Sequence, residues 1–183
     1  MQGKPATSTR QAIHAAATAL FRQQGYAKTT VRQIAAAAGS DPALVIRHFK
    51  SKELLFLETM QLSIDDEPLL DVPLEHLGER LIDLVIGLDG GARGVFLALV
   101  HGSNEPEIRK RLTDTHEQLF IDPLRRRLSG PDADIRARLA ASVTAGLLYS
   151  LWIARDETLL AADRTLLVAR YGALIQHILT PTA

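Results

Sequence analysis

Thr29-Thr30-Val31-Arg32-Gln33-Ile34-Ala35-Ala36-Ala37-Ala38-Gly39-Ser40-Asp41-Pro42 reads as a short helix, a tight turn and the start of a second helix. Thr30 is a capping residue, because its hydroxyl accepts from the free N–H groups of a first turn. Val31, Ile34, Ala35 and Ala38 recur at helical spacing and give the helix an apolar inner face. Gly39 makes the turn. Asp41 caps the next helix, and Pro42 stands at its first position, where a missing N–H does no harm. That helix runs over residues 42–49, short as a recognition helix can be. The whole is a helix–turn–helix pattern.

Charge points to the same stretch. The first 52 residues carry eight Lys/Arg and one acidic residue; the remaining 131 carry thirteen and twenty. The front is therefore +7 and the rest −7, which cancel to a formal net charge of zero. An asymmetry of this size suggests that the basic end meets a polyanion.

Outward from the motif, nearly every segment has helical periodicity and none alternates convincingly at period two. Ile13, Ala16, Ala17, Leu20 and Phe21 form the stripe of a first helix over residues 9–24, stopped by Gly25. Ser51 caps a fourth helix. Asp65, Asp66, Glu67, Pro68, Asp71 and Pro73 form an acidic, proline-punctuated connector. Further helices are expected over 74–88, over 95–101 after a break at Gly87, Gly90, Gly91 and Gly94, over 105–128 with a kink at Pro123, over about 132–155 with Asp132 or Asp134 at its start, and over 163–179 with Asp163 as cap. The expectation is an all-α chain of about nine helices. Residues 1–50 are expected to form a helix–turn–helix DNA-binding domain, and residues 51–183 a second, helical domain.

Composition narrows the function. Hydrophobic residues make up 46%, which fits a globular protein. Cysteine is absent, which excludes disulfides and thiolate metal sites and fits a reducing cytoplasm. No signal-peptide pattern opens the chain, and no apolar run approaches the roughly 20 residues a membrane span needs. Among the six histidines, at 14, 48, 76, 101, 116 and 177, no two lie three or four apart, so no metal site on one helix face is expected. The glycines at 87–94 follow no strand and precede no Gly-Lys-Ser/Thr, and His101-Gly102-Ser103 lacks the spacing of a nucleophile elbow. Arg125-Arg126-Arg127 reads as a solvated helix end. No catalytic constellation and no cofactor motif emerges, so an enzyme is not expected.

The motif above, together with Leu20-Phe21, Gly25-Tyr26 and Arg47-His48-Phe49-Lys50-Ser51-Lys52-Glu53-Leu54-Leu55, resembles the tetracycline-repressor (TetR) family over residues 10–55. The resemblance implies a dimeric transcriptional regulator, usually a repressor, released from its DNA operator by a small-molecule effector. Beyond residue 55 the chain resembles that family only in being all-helical. The family commonly has Tyr before Arg47-His48-Phe49; here Ile46 stands in its place and removes a hydroxyl that often reaches a phosphate.

With Val45 and Phe49 facing inward, helical geometry turns Ala43 and Arg47 outward, flanked by Pro42, Ile46, Leu44 and His48. Arg47 suits guanine O6/N7 or a phosphate; Ala43 or Ile46 suits a thymine methyl. His48, Lys50 and Lys52 suit phosphates. Thr29 and Thr30 offer hydroxyl or amide groups at a helix start. Lys4 and Arg10 suggest a phosphate-seeking arm.

In the C-terminal part, the rare large residues Phe56, Met60, Phe96, His116, Phe120, Tyr149 and Trp152 suggest an apolar effector pocket, with Arg80, His116 and Tyr149 as its polar groups. Thr144, Leu147, Leu148 and Leu151, then Leu167, Tyr171, Leu174 and Ile178, make two helices apolar on more than one face, which a two-fold four-helix dimer would bury. Two other classes remain: a small helical enzyme, which lacks a constellation, and a helical bundle that does not bind DNA, which salt-dependent DNA binding would separate.

Overall fold

The computed structural model describes residues 8–60 and 71–181, and among these no strand occurs. Asp65, Asp66, Glu67 and Pro68 of the expected connector lie outside the described residues. The helices are α1 (Thr9–Lys28), α2 (Val31–Ala37), α3 (Pro42–Phe49), α4 (Lys52–Thr59), α5 (Leu77–Ile86), α6 (Gly90–His101), α7 (Pro106–His116), α8 (Asp122–Arg127), α9 (Ala133–Tyr149), α10 (Glu157–Ala161) and α11 (Arg164–Leu179). A 3-10 turn, Leu74–His76, leads into α5. The chain divides into two compact units, residues 1–62 with 89–109 and residues 63–88 with 110–183, so the observed division runs differently from a cut at residue 50.

The first unit is α1 to α4 together with α6. Its helices start where side-chain acceptors stand ready. Ser8 accepts from the Gln11 amide at 3.2 Å, Thr30 from Gln33 at 3.2 Å, and Ser51 from Leu54 at 3.1 Å. Ile13, Ala17, Phe21, Ile34, Val45, Phe49, Leu54 and Phe56 are buried and form the core. Gly25 has the non-helical φ 78° and ψ 169°, so the regular helix stops there as its glycine predicts, and a short further turn before Thr29 carries Tyr26 inward. The glycine break expected over 87–94 is corrected. Asp89 caps α6 directly before Gly90, so Gly90, Gly91 and Gly94 lie inside the helix. Gly94 is there for close approach: a Cβ on it would sit 2.9 Å from the Phe56 ring of α4.

The second unit rests on α5 against α11, with α9 beside both. A glycine pair sets the approach. A Cβ on Gly172 would lie 2.7 Å from Glu79 Cγ and 2.8 Å from its Cα, and one on Gly78 would overlap the Gly172 carbonyl. Gln176 joins the two helices further, accepting from the Gly78 amide at 3.0 Å. Leu77, Leu81, Ile82, Leu124, Ala137, Ala140, Ala141, Leu147, Leu148 and Ile175 fill this core.

The expected single helix over 105–128 runs without a break from Pro106 to Arg127, with a π-helical turn, Glu117–Ile121, between its α7 and α8 parts. Pro123 falls in the first turn of α8, where a missing N–H breaks no ladder, and the wide turn precedes it. A second π turn, Ser150–Ala154, ends the expected helix over 132–155, and Arg155 closes it in the left-handed conformation. The short α10 was not expected. One more correction concerns apolar length. The 22-residue stretch 133–154 is long and apolar enough, by length and composition alone, to cross a bilayer. Its Ala137, Ala140, Ala141, Thr144, Leu147 and Leu148 are buried in the core of this unit, as in the core helix of a globular fold.

Candidate nucleic-acid interface

α3 is held from beneath by Val45 and Phe49, 0% and 2% exposed. Asp41 fixes its start by accepting from the Ala43 amide at 2.7 Å. Pro42, Ala43, Ile46, Arg47 and His48 are consequently exposed and Leu44 is half-buried. The outward face is the one helical periodicity assigned to it. Lys50 ends α3 with φ 66°, and its ammonium pairs with Glu107 at 3.1 Å. This pair is open to solvent on both sides and is worth little, so a phosphate can compete for the cation.

α2, which packs against α3, starts with a capping box. Thr30 donates its backbone N–H to Gln33 Oε1 at 2.8 Å while its hydroxyl takes the Gln33 amide. Gln24 donates to the same Gln33 oxygen at 3.4 Å and to the Thr29 hydroxyl at 3.2 Å. Thr30 is exposed at the helix start, with its N–H and its hydroxyl both engaged by Gln33.

Three sequence expectations change here. Thr29 is fully buried, and its hydroxyl donates to the Gly25 carbonyl at 2.8 Å, so its side chain bridges the α1–α2 turn instead of facing outward. Lys52 also turns inward. Its ammonium donates to the Tyr26 and Thr29 carbonyls, both at 3.1 Å, and lies 4.0 Å from the centre of the Tyr26 ring. Burial lowers the Lys52 pKa, with Glu53 opposing. Tyr26 donates its hydroxyl to Glu53 at 2.5 Å; burial, then that bond and the Glu53 charge, raise its pKa far above the ordinary tyrosine value. Arg10, finally, is no free arm: it pairs with Glu58 at 2.8 Å and lies 4.6 Å over the Phe49 ring. Lys4 lies outside the described residues. Each of these two cations lies over an aromatic ring, and sequence spacing does not show such long-range pairs.

The residues assigned to an effector pocket fall in both units. In the first, Phe56 is core, edge-on to Phe21 at 4.8 Å between ring centres and 5.0 Å from Tyr26. Met60 and Phe96 are half-buried. In the second, Arg80 is half-buried with an ion pair to Asp83 at 3.9 Å. His116 and Phe120 are half-buried with ring centres 5.9 Å apart. Burial lowers the His116 pKa; Glu117 opposes this and Arg138 adds to it. Trp152 is half-buried on the second π turn, as Phe120 is on the first. Tyr149 is 53% exposed and belongs to the outer surface, which corrects its assignment to the pocket.

The arginine run is corrected too. Arg125 pairs with Glu117 at 3.0 Å and Asp134 at 2.9 Å and also contacts Asp122, while Arg127 donates to the Val72 carbonyl at 2.6 Å. Arg138 closes the network onto Glu117 and Asp134. The interface set needs a further correction. Thr144, Leu147, Leu148, Leu151 and Leu167 are already buried within the single chain; Tyr171 and Ile178 are half-buried, and Leu174 is 50% exposed. The apolar surface left open on α9 and α11 is Ile135, Leu139, Tyr149, Leu166 and Leu174.

A short helix fixed on an apolar underside, exposed along its length and preceded by a capped helix start, defines a helix–turn–helix DNA-binding protein. Residues 13–59 match the family model of bacterial regulatory proteins, tetR family, and residues 75–179 match that of the tetracyclin repressor-like C-terminal domain. The chain is similar to an HTH-type transcriptional repressor of Mycobacterium tuberculosis strain H37Rv, with 30% identity over 169 residues covering 81% of this chain and 80% of that protein. Among solved structures it is similar in fold to NalD, the secondary repressor of the MexAB-OprM multidrug efflux pump of Pseudomonas aeruginosa (23% identity, 96% and 97% covered, TM-score 0.61). A transcriptional regulator from Rhodococcus sp. Rha1 gives 19% identity, 94% and 96% covered, and TM-score 0.61. The chain belongs to the tetR family: it is a DNA-binding transcriptional regulator and not an enzyme.

Proposed function

We propose that this chain acts in the cytoplasm as a homodimeric repressor that binds a pseudo-palindromic operator and leaves it when a small apolar or amphipathic effector binds. The single observation that carries the reading is the exposed α3 face, with Arg47 and His48 outward and Thr30 at the adjacent helix start. A two-fold dimer presents two such helices, which calls for two half-sites. The similarity to a mycobacterial repressor supports the sign of regulation. The effector part is supported by His116, Phe120 and Trp152 in the second unit, since π turns of the kind that carry Phe120 and Trp152 recur at functional sites. The mechanism is a population shift: effector favours a conformation whose recognition helices are misspaced.

Selection from random duplexes, followed by titration at several salt concentrations, tests this. Arg47→Ala should cost about 1–3 kcal/mol on the selected duplex and relax preference at one base pair per half-site. An equal loss on selected and random DNA makes Arg47 a phosphate clamp. A thermal-shift screen for compounds that also release the duplex tests the effector. Such a compound should alter the fluorescence of Trp152, the single tryptophan.

A further inference from the structure

Seven large hydrophobic side chains are exposed among the described residues, and six of them, Ile135, Leu139, Tyr149, Leu160, Leu166 and Leu174, belong to the second unit. The seventh is Ile46, 44% exposed, in the middle of α3. A lone exposed isoleucine is ordinary on a protein surface. This one is distinguished by its place. It stands among the outward Pro42 and Ala43 on one side and Arg47 and the cap residue Lys50 on the other, so a cationic rim borders an apolar strip at its C-terminal end. Cations of that rim suit phosphates and guanine edges, but the Ile46 side chain neither donates nor accepts a hydrogen bond. In the major groove the base edges present one apolar group, the C5-methyl of thymine. Ala43 is too short to cover much of it, and Leu44 is half-buried.

We propose that Ile46 is a specificity-determining residue that packs its branched side chain on a thymine methyl, so that each half-site requires a thymine. This rests on the DNA-binding reading above. Replacing thymine by deoxyuridine removes that methyl and leaves every hydrogen-bonding group of the base in place. The probe is the duplex selected from random sequence, with each thymine replaced in turn. One position per half-site should lose about fourfold in affinity, the transfer value of one buried methyl, and replacement in both half-sites about sixteenfold. Ile46→Ala should bind the thymine and uracil duplexes equally; Ile46→Val should keep part of the difference. Because Ile46 is exposed, both variants should melt with the wild type, which separates lost readout from lost fold. A wild type indifferent to every replacement overturns the proposal and leaves the regulator reading standing. A thymine preference that persists in Ile46→Ala overturns it too and moves the contact to another residue. Failure to select any duplex removes the DNA-binding reading itself, and the proposal with it.

Discussion

Lys52 holds its ammonium where two carbonyls and a ring face converge, the Tyr26 and Thr29 oxygens and the Tyr26 aromatic ring. Those carbonyls lie in the turn that follows the Gly25 break and leads into α2. The residue therefore ties the start of α4 to the α1–α2 turn, and a cation engaged in this way is withdrawn from a phosphate. Lys52→Ala should lower stability by about 1 kcal/mol, the worth of a charge-assisted hydrogen bond discounted for partial exposure. It should leave the slope of log affinity against log salt unchanged. Titration of the variant across salt decides: a slope flattened by about one unit would return Lys52 to the phosphate contacts. Arg47 is the opposite case, exposed on the outer face of α3, and its legibility differs for that reason. Helical spacing placed Arg47 outward from Val45 and Phe49 alone, because facing depends only on neighbours in the same helix. Lys52 turns inward and the exposed Arg10 lies across a ring, both toward partners distant in sequence, which spacing within one helix does not reveal.

Helices meet closely where side chains are absent, and the Gly78/Gly172 contact between α5 and α11 is the tightest instance. Gly172→Ala would place a methyl against the backbone of Glu79, which has no rotamer by which to yield. The gain in helix propensity, up to about 1 kcal/mol, is smaller than the cost of overpacking, about 1–3 kcal/mol, so the variant should be less stable. A raised melting temperature would show that the helices can separate without loss. The Glu117 and Asp134 network joins the first π turn to α8 and α9, and hydrogen bonds from Arg138 and then Arg125 lower both carboxylate pKa values. A carboxylate with a lowered folded-state pKa adds stability above its unfolded pKa and loses it as pH falls through the folded one. Glu117→Gln should therefore show a smaller fall in melting temperature than the wild type as pH drops below the ordinary carboxylate range, and the gap should narrow in high salt. Element starts were legible because caps are local: Thr30, Asp41, Ser51 and Asp163 cap the helices expected of them. The glycines of α6 and the π turns were not. A glycine at a helix interface and one at a break look alike until the partner helix is known, and a π turn differs from an α turn by one residue of register.

For the whole molecule, the all-α class followed from periodicity, and the basic front coincides with the stretch that matches the tetR-family regulatory model. Less legible was which of two apolar faces of a helix is spent inside the chain. Thr144, Leu147 and Leu148 are fully or almost fully buried, whereas Ile135, Leu139 and Tyr149 are half or more exposed on the same helix. With Ser142 and Gly146, those exposed residues recur at intervals of four and three, a stripe of period 3.5 that suits a second helix packed alongside. A Cβ on Gly146 would have nothing within 4 Å, so the stripe has a shallow point where a partner can approach. Leu166 and Leu174, each 50% exposed, offer a similar surface on α11. If these two helices pair with their symmetry mates, Leu139→Glu puts an unpaired carboxylate into a dry interface while leaving the core of the single chain intact. The expected product is a folded monomer by light scattering and circular dichroism. It should bind the selected operator far more weakly, because each half-site is then held independently. Leu147→Glu is the contrasting control: its side chain is fully buried within the unit, so that variant should fail to fold. A Leu139→Glu protein that remains dimeric and keeps full operator affinity would exclude the α9 stripe from the interface.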